Sequence, residues 1–279
     1  MSDYAGYAAL RVRRERGVAF VTIDHPPINL FDLTLIGEMA RVGEELAQDG
    51  TIRAVVIDSA NPEFFIAHAD VELIRRLPTD VSQRPQRLNV FHAMVERFRT
   101  MPKATIAKLE GRTRGGGSEL VLSCDMRFGA LGRAILCQPE VALGIIPGGS
   151  GTQRLPRLVG RARALEMILG CDDVPADVAE RWGYLNRALP PDELGPFVER
   201  LAFRIASFPA EAIALAKRCV DASLGPVQEG LLEEDHAFTR SIGTPEARER
   251  MADFMASGGQ TRDVELQVHD VLALLGRPR

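Results

Sequence analysis

Apolar and polar positions change their period several times along the chain, and each change marks an element. Leu10, Val12 and Arg14 alternate into Arg16-Gly17, and the β-formers Val18, Phe20, Thr22 and Ile23 follow, so residues 9–24 are predicted to form a hairpin. His25-Pro26-Pro27 stops the second strand, because proline has no N–H to give to a ladder. From Leu33 to Ala47 the spacing becomes helical, with Leu35, Ile36, Met39, Val42 and Leu46 on one face and Asp49-Gly50 beyond its end. Arg53 to Ser59 reads as a buried strand, Asn61 to Asp70 as a loop, Val71 to Leu77 as a short helix and Pro78 to Pro85 as a polar surface loop. Phe91, Met94, Val95 and Phe98 form a helical stripe ending before Pro102, and Ala104 to Leu109 is a strand. A helix from Glu119 to Ser123 and short strands over 125–130 and 134–138 follow. This strand–strand–helix–strand order predicts mixed α/β architecture.

Beyond Leu155 the pattern turns helical. Helices are predicted over Ala162–Leu169 and Ala176–Trp182, with an extended exit from Tyr184 to Leu189. Pro190-Pro191-Asp192 is the best boundary, dividing a core over residues 1–190 from a helical region over 191–279. In that region Leu194–Ser207, Ala210–Leu224, Val227–Ile242 and Pro245–Ala256 read as helices, and an apolar-periodic tail runs from Val264 to Leu275. The region is too small to bury its apolar faces alone, so it is expected to pack on the core or on another subunit.

The stretch that interrupts these patterns is Arg114-Gly115-Gly116-Gly117-Ser118-Glu119, between the strand at Leu109 and the helix after it. Glycines let another molecule approach the backbone, and the amides at a helix start are unpaired and partly positive. The turn is either a plain strand-to-helix junction or a cradle for an oxygen that becomes negative during a reaction. A second glycine-rich turn, Gly148-Gly149-Ser150-Gly151, follows Gln138-Pro139-Glu140.

Composition narrows the setting. The chain of 279 residues is 46% hydrophobic and 26% charged, as in ordinary globular proteins, and its net charge of −4 argues against nucleic acid as a partner. No uninterrupted apolar stretch of about 18 residues occurs, so no membrane span is expected. Four scattered cysteines without CxxC spacing, and a start lacking signal-peptide character, fit a cytoplasmic protein with reduced thiols. The glycine clusters fail the dinucleotide, P-loop and GxSxG patterns, and the five histidines show no metal spacing, so no metal is expected.

What survives is Ala67-His68-Ala69-Asp70, the Gly115–Glu119 turn and Gln138-Pro139-Glu140 with Gly144-Ile145-Ile146-Pro147-Gly148. With Met101-Pro102-Lys103-Ala104 and Thr152-Gln153-Arg154-Leu155, these segments resemble the crotonase, or enoyl-CoA hydratase/isomerase, superfamily over roughly the first two-thirds of the chain. The resemblance implies a spiral of repeated strand–strand–helix units and a helical carboxy-terminal region that builds homotrimers or dimers of trimers. It implies an enzyme acting on an acyl-CoA thioester, with no cofactor beyond the coenzyme A of the substrate. Hydration of a 2,3-enoyl-CoA would use Glu119 and Glu140 as the acid/base pair and the amides of Ala69 and Gly116 as the oxyanion hole. Ala67, His68, Asp70 and Gly148 would line the substrate site, with the Gly148 amide helping to hold the water.

The chain departs from the family at four positions. His68 stands where the family usually has glycine, Glu72 follows Asp70-Val71 where a CoA-contacting lysine is common, and Glu110 and Arg114 replace residues more often Asn and apolar. Glu110 and Arg114 either pair with each other or leave Arg114 to meet a polar acyl group. Isomerisation, dehydration or C–C cleavage are the rival reactions, and a non-catalytic RNA- or protein-binding member is the rival from another class.

Overall fold

The computed structural model describes residues 4–76 and 88–224, together with isolated positions between 245 and 257. The expected loop Pro78–Pro85, the helix Val227–Ile242, most of Pro245–Ala256 and the tail after Val264 lie outside the described residues.

Strands β1 (Leu10–Glu15) and β2 (Val18–Ile23) form the predicted hairpin, turning at Arg16-Gly17. Strand β3 (Ala54–Ser59) then lies parallel to β2, after helix α1 (Leu33–Gln48). Asp32 starts α1 by accepting the Leu35 N–H at 2.9 Å, and the helix buries Leu35, Met39, Val42 and Leu46, the face its period announced.

From there the chain repeats one manoeuvre, placing a strand in the large sheet, a shorter strand in a second sheet, and then helix. The first round is β3, β4 (Phe64–Ile66), α2 (Val71–Arg75) and α3 (Val90–Thr100). The second is β5 (Ala104–Leu109), β6 (Arg112–Arg114) and α4 (Gly116–Leu122). The third is β7 (Met126–Ala130), β8 (Ile135–Cys137), a 3-10 turn over Glu140–Leu143, α5 (Gly151–Val159) and α6 (Arg161–Gly170). Short β9 (Val174–Pro175), α7 (Ala176–Trp182) and β10 (Arg187–Leu189) complete it. The large sheet has the order β1-β2-β3-β5-β7-β10 and the small one β4-β6-β8-β9. The expected spiral of strand–strand–helix units is therefore the architecture of the described residues.

Burial explains why the large sheet reads as nearly continuous apolar runs. One face carries Val21, Ile23, Val55, Ile57 and Ala107 into the core shared with α1, α3 and α4. The other carries Phe20, Val56, Ile106 and Phe128 against Leu194, Val198 and Ala202 of α8 (Pro191–Ala206). Each large aliphatic side chain so buried contributes about 1.5–3 kcal/mol. Lys103, in the Met101-Pro102-Lys103 segment, is buried where its Nζ donates to the carbonyls of Asp49 (2.6 Å) and Ile52 (2.9 Å), tying the end of α1 to the start of β5. Among the described residues no helix is long and apolar enough to cross a membrane.

Several short elements differ from expectation. β4 lies inside the stretch read as a loop, β6 and β9 were not predicted, and α4 begins at Gly116 rather than Glu119. Helix α5 begins inside the second glycine turn and contains Pro156, which together hid its period.

Candidate active site

The glycine triplet is a junction in which the glycines answer different demands. Gly115 caps α4 with φ 52° and ψ −125°, a backbone region that side chains close, and a β-carbon there would stand 3.0 Å from Glu140 Oε1. Gly117 lets α4 press on β4, since a β-carbon would meet Ile66 Cβ at 2.6 Å and its carbonyl oxygen at 3.0 Å. Gly116, between them, is the first helical residue, and its N–H belongs to the first turn, which has no intrahelical partner.

The loop from β4 to α2 comes to the same place. Phe31 donates its N–H to the His68 carbonyl (3.0 Å) and accepts the Asp70 N–H (3.1 Å), a parallel bridge centred on Ala69. In such a bridge the amide of the central residue points away from its partner, so the Ala69 N–H faces away from Phe31. Ala69 Cβ lies 3.6 Å from where a Gly116 β-carbon would be, which puts the two expected oxyanion donors side by side. Phe31 and Phe91, in edge-to-face contact at 5.3 Å, wall the Gly116 side. Ala67 donates its N–H to the Ile28 carbonyl at 3.1 Å, and the Asp70 carboxylate caps α2 by accepting the Glu72 N–H at 2.9 Å.

Glu119 and Glu140 are both buried, at 4% and 9% exposure. Glu119 sits on the first turn of α4 and directs Oε1 to the backbone N–H of Gly149 (2.6 Å) and Gly151 (2.8 Å), at the start of α5. Burial pushes its pKa up to about 7, against the pull of the Gly151 and Gly149 amides and with the help of the Glu140 charge. Burial likewise pushes Glu140 up to about 6, although its own backbone N–H favours the charged form. With values of about 7 and about 6, the two carboxyls hold one proton between them in the range that separates those values.

Other residues complete the surroundings. Gly148 lies on the exposed approach to Gly149, and the donors to Glu119 are its neighbours Gly149 and Gly151. Gln138, Ser118 and Tyr184 are fully or almost fully buried behind Glu140, with Gln138 3.1 Å from Ser118 Oγ and Ser118 Oγ 2.8 Å from the Tyr184 hydroxyl. Sequence reasoning passed over Ser118, Tyr184, Gly149 and Gly151. The second glycine turn was the available signal for the last two.

The departures from the family pattern have local explanations. His68 is absent from the positive-φ residues, so no glycine is needed there, and its Nδ1 lies 2.8 Å from the Ala69 carbonyl oxygen. Glu110 and Arg114 do not pair with each other. Glu110 meets Lys108 at 3.3 Å, whereas Arg114 grips Asp173 through Nε (2.8 Å) and a second contact between Nη2 and Oδ2. A cavity of about 930 Å³ is lined by Glu96, Arg99, Arg154, Lys217 and Ser150, the last of which lies between Gly149 and Gly151, and neither Glu119 nor Glu140 lines it.

The profile of the family described as enoyl-CoA hydratase/isomerase matches residues 13–258, further into the carboxy-terminal region than the motifs alone extend. The short-chain-enoyl-CoA hydratase of Clostridium acetobutylicum is 32% identical over 246 residues, covering 88% of this chain and 93% of that protein. The crotonyl-CoA hydratase of Syntrophomonas wolfei is 30% identical over 251 residues, covering 89% and 95%. The crystal structure of an enoyl-CoA hydratase from Bacillus anthracis superposes with a TM-score of 0.82 at 28% identity, covering 89% of this chain and 96% of the other. With its strand–strand–helix spiral, its paired buried glutamates and this extent of similarity, the chain belongs to the enoyl-CoA hydratase/isomerase family.

Proposed function

We propose that the protein is a hydro-lyase that adds water across the 2,3 double bond of an enoyl-CoA thioester. The observation that carries this reading is the pair of buried carboxyls, Glu119 and Glu140, close enough that the charge of one raises the pKa of the other. Adding water needs a base for the water and an acid for the α-carbon, and a pair holding one proton supplies both. The water oxygen bonds to the β-carbon as its proton passes to the carboxylate of the pair. The α-carbon takes the proton of the protonated member, so the pair again holds one proton at the end. In between, the thioester oxygen carries enolate charge. The amides of Ala69 and Gly116 serve that oxygen, and one such donor contributes about 3 kcal/mol. Ala67, His68, Asp70 and Gly148 frame the substrate around these groups. The reaction requires no metal or cofactor beyond the coenzyme A of the substrate.

The assembly in this reading is a homotrimer or dimer of trimers, supported by the outward-facing Leu143 and Ile146, at 60% and 68% exposure. A cytoplasmic location is supported by four unbridged cysteines. The test of function is the loss of enoyl-thioester absorbance on mixing with crotonyl-CoA and longer enoyl-CoAs. Wild type hydrates at least one of them, and Glu119→Gln and Glu140→Gln each lose most activity. No hydration by wild type, or full activity in both variants, contradicts the proposal. Turnover of 3-enoyl thioesters that survives one of the two substitutions would identify an isomerase instead.

A further inference from the structure

Behind Glu140 three buried side chains from distant parts of the chain meet in a line, namely Gln138 after β8, Ser118 on α4 and Tyr184 after α7. Their hydrogen bonds close in two different orders on the same atomic positions. In the first, the Tyr184 hydroxyl donates to Ser118 Oγ (2.8 Å), Ser118 donates to the Gln138 carbonyl oxygen (3.1 Å), and the Gln138 amide nitrogen donates to Glu140 Oε2 (3.1 Å) and Oε1 (3.2 Å). That order suits an ionised Glu140 best, because both of its oxygens then accept from the amide, whereas a protonated carboxyl accepts at one oxygen only. In the second, the Gln138 amide nitrogen donates to Ser118 Oγ (3.1 Å), Ser118 donates to the Tyr184 oxygen (2.8 Å), and Tyr184 donates to the Ser118 carbonyl (3.3 Å). The Gln138 carbonyl oxygen then faces Glu140, and the contact is favourable only if Glu140 carries a proton to donate.

We propose that Tyr184, Ser118 and Gln138 form a reversible hydrogen-bond relay whose direction follows the protonation of Glu140, keeping that side chain positioned in both of its states. The inference rests on the reading of Glu140 as one of the acid/base pair. The physical need is clear, since a carboxyl that gains and loses a proton in every turnover alternates between needing donors and needing an acceptor. A fixed acceptor would face the carboxylate unpaired, at about 1–3 kcal/mol, and a fixed donor would offer the acid's O–H no acceptor on that side. An amide backed by two hydroxyls serves both, because hydroxyls and amides each donate and accept. Gln138, Ser118 and Tyr184 are thus positioning residues acting through Glu140. The other titratable groups around Glu140 are Glu119 on α4, His68 on the β4–α2 loop and Cys137 at the end of β8, beside the Arg114–Asp173 pair.

The relay is tested by following the Glu140 carboxyl carbon by NMR in the unliganded, glutamate-labelled protein, the signal being assigned by its loss in Glu140→Gln. In Gln138→Leu the charged form loses its donor, a stronger bond than the neutral one it also loses, and the Glu140 midpoint rises by about one pH unit. In Tyr184→Phe the order serving protonated Glu140 loses its acceptor for the Ser118 proton, whereas the other order keeps its bond to Gln138. The midpoint therefore falls, by about half a unit. Opposite shifts support the relay. Two unmoved midpoints, or two shifts in the same direction, overturn it. If Gln138→Leu fails to fold, the near-isosteric Tyr184→Phe decides alone, and an unmoved or raised midpoint overturns the proposal. The titration needs no turnover, so absence of hydration by wild type would count against the hydratase reading and leave this test standing. In the hydration assay Gln138→Leu lowers kcat about tenfold at nearly unchanged KM, whereas a purely structural residue would leave the Glu140 midpoint in place.

Discussion

Glu119 and Glu140 are buried near enough to feel each other's charge and are held in different ways. Glu119 is gripped by the backbone, through the N–H groups of Gly149 and Gly151, which no side-chain exchange removes. Glu140 is backed by the Gln138 side chain, itself set by Ser118 and Tyr184. Backbone donors can only donate, so they favour the charged form and resist the upward push of burial. A side-chain amide can turn. One carboxyl is thus fixed by the fold and the other by a chain of exchangeable groups, and substitutions can separate the two.

The largest separation comes from the glutamates themselves. Glu119→Gln should lower hydration about a thousandfold and yet raise stability at pH 8 by up to about 3 kcal/mol. Its folded pKa, about 7, lies above the 4.5 of an ordinary glutamate, so the unfolded chain releases its proton first. Stability is therefore lost as pH rises from about 4.5 to 7 and is level above that. Urea unfolding of wild type and variant across this range checks it, and a variant that is no more stable at pH 8 than wild type contradicts the account. Gly149→Ala comes next. Its β-carbon would lie 2.4 Å from Glu119 Oε2 and 2.3 Å from the Phe91 ring, so Glu119 must move. We expect kcat to fall about a hundredfold with the Glu140 titration little changed, which would show that the two supports are independent.

Legibility in the sequence followed element length and the range of the contacts. The hairpin, α1, α3 and α7 were readable because their periods run for a full strand or several turns. β4 and β6 have only three residues and β9 two, too few to display alternation, and they exist because the larger sheet places their neighbours. In the site, Ala69, Gly116, Glu119 and Glu140 could be proposed from sequence because each sits in a compact motif. Ser118 and Tyr184 were not, since they are 66 residues apart and each alone looks like an ordinary core residue. The contacts of Gly149 and Gly151 with Glu119 were not legible, because the order of residues does not reveal which amides of a turn converge on a carboxylate.

Smaller effects sharpen the comparison further. The pH profile of kcat/KM in the free enzyme should be a narrow bell with limbs near 6 and 7, the values of the coupled pair. Below the lower limb a second proton removes the base, and above the upper one the shared proton is lost, so the rate falls about tenfold per unit on either side. Steady-state assays between pH 5 and 8 test this, and a flat profile would contradict it. The smallest effect is expected from Asp173→Ala, which removes a partly exposed ion pair with Arg114. Stability should change by less than about 1 kcal/mol and activity by less than about twofold, so a large loss of turnover would place Arg114 among the substrate-contacting residues.

The central claim is that the buried pair adds water to a thioester-conjugated double bond, and one isotope measurement tests it directly. A 2-enoyl-CoA is incubated with wild type in water labelled with heavy oxygen, and the acyl product is analysed by mass spectrometry. The account predicts one labelled oxygen on the β-carbon with wild type and negligible labelled product with Glu119→Gln or Glu140→Gln. Unlabelled, double-bond-shifted product from wild type, or equal labelling by all three proteins, would contradict it.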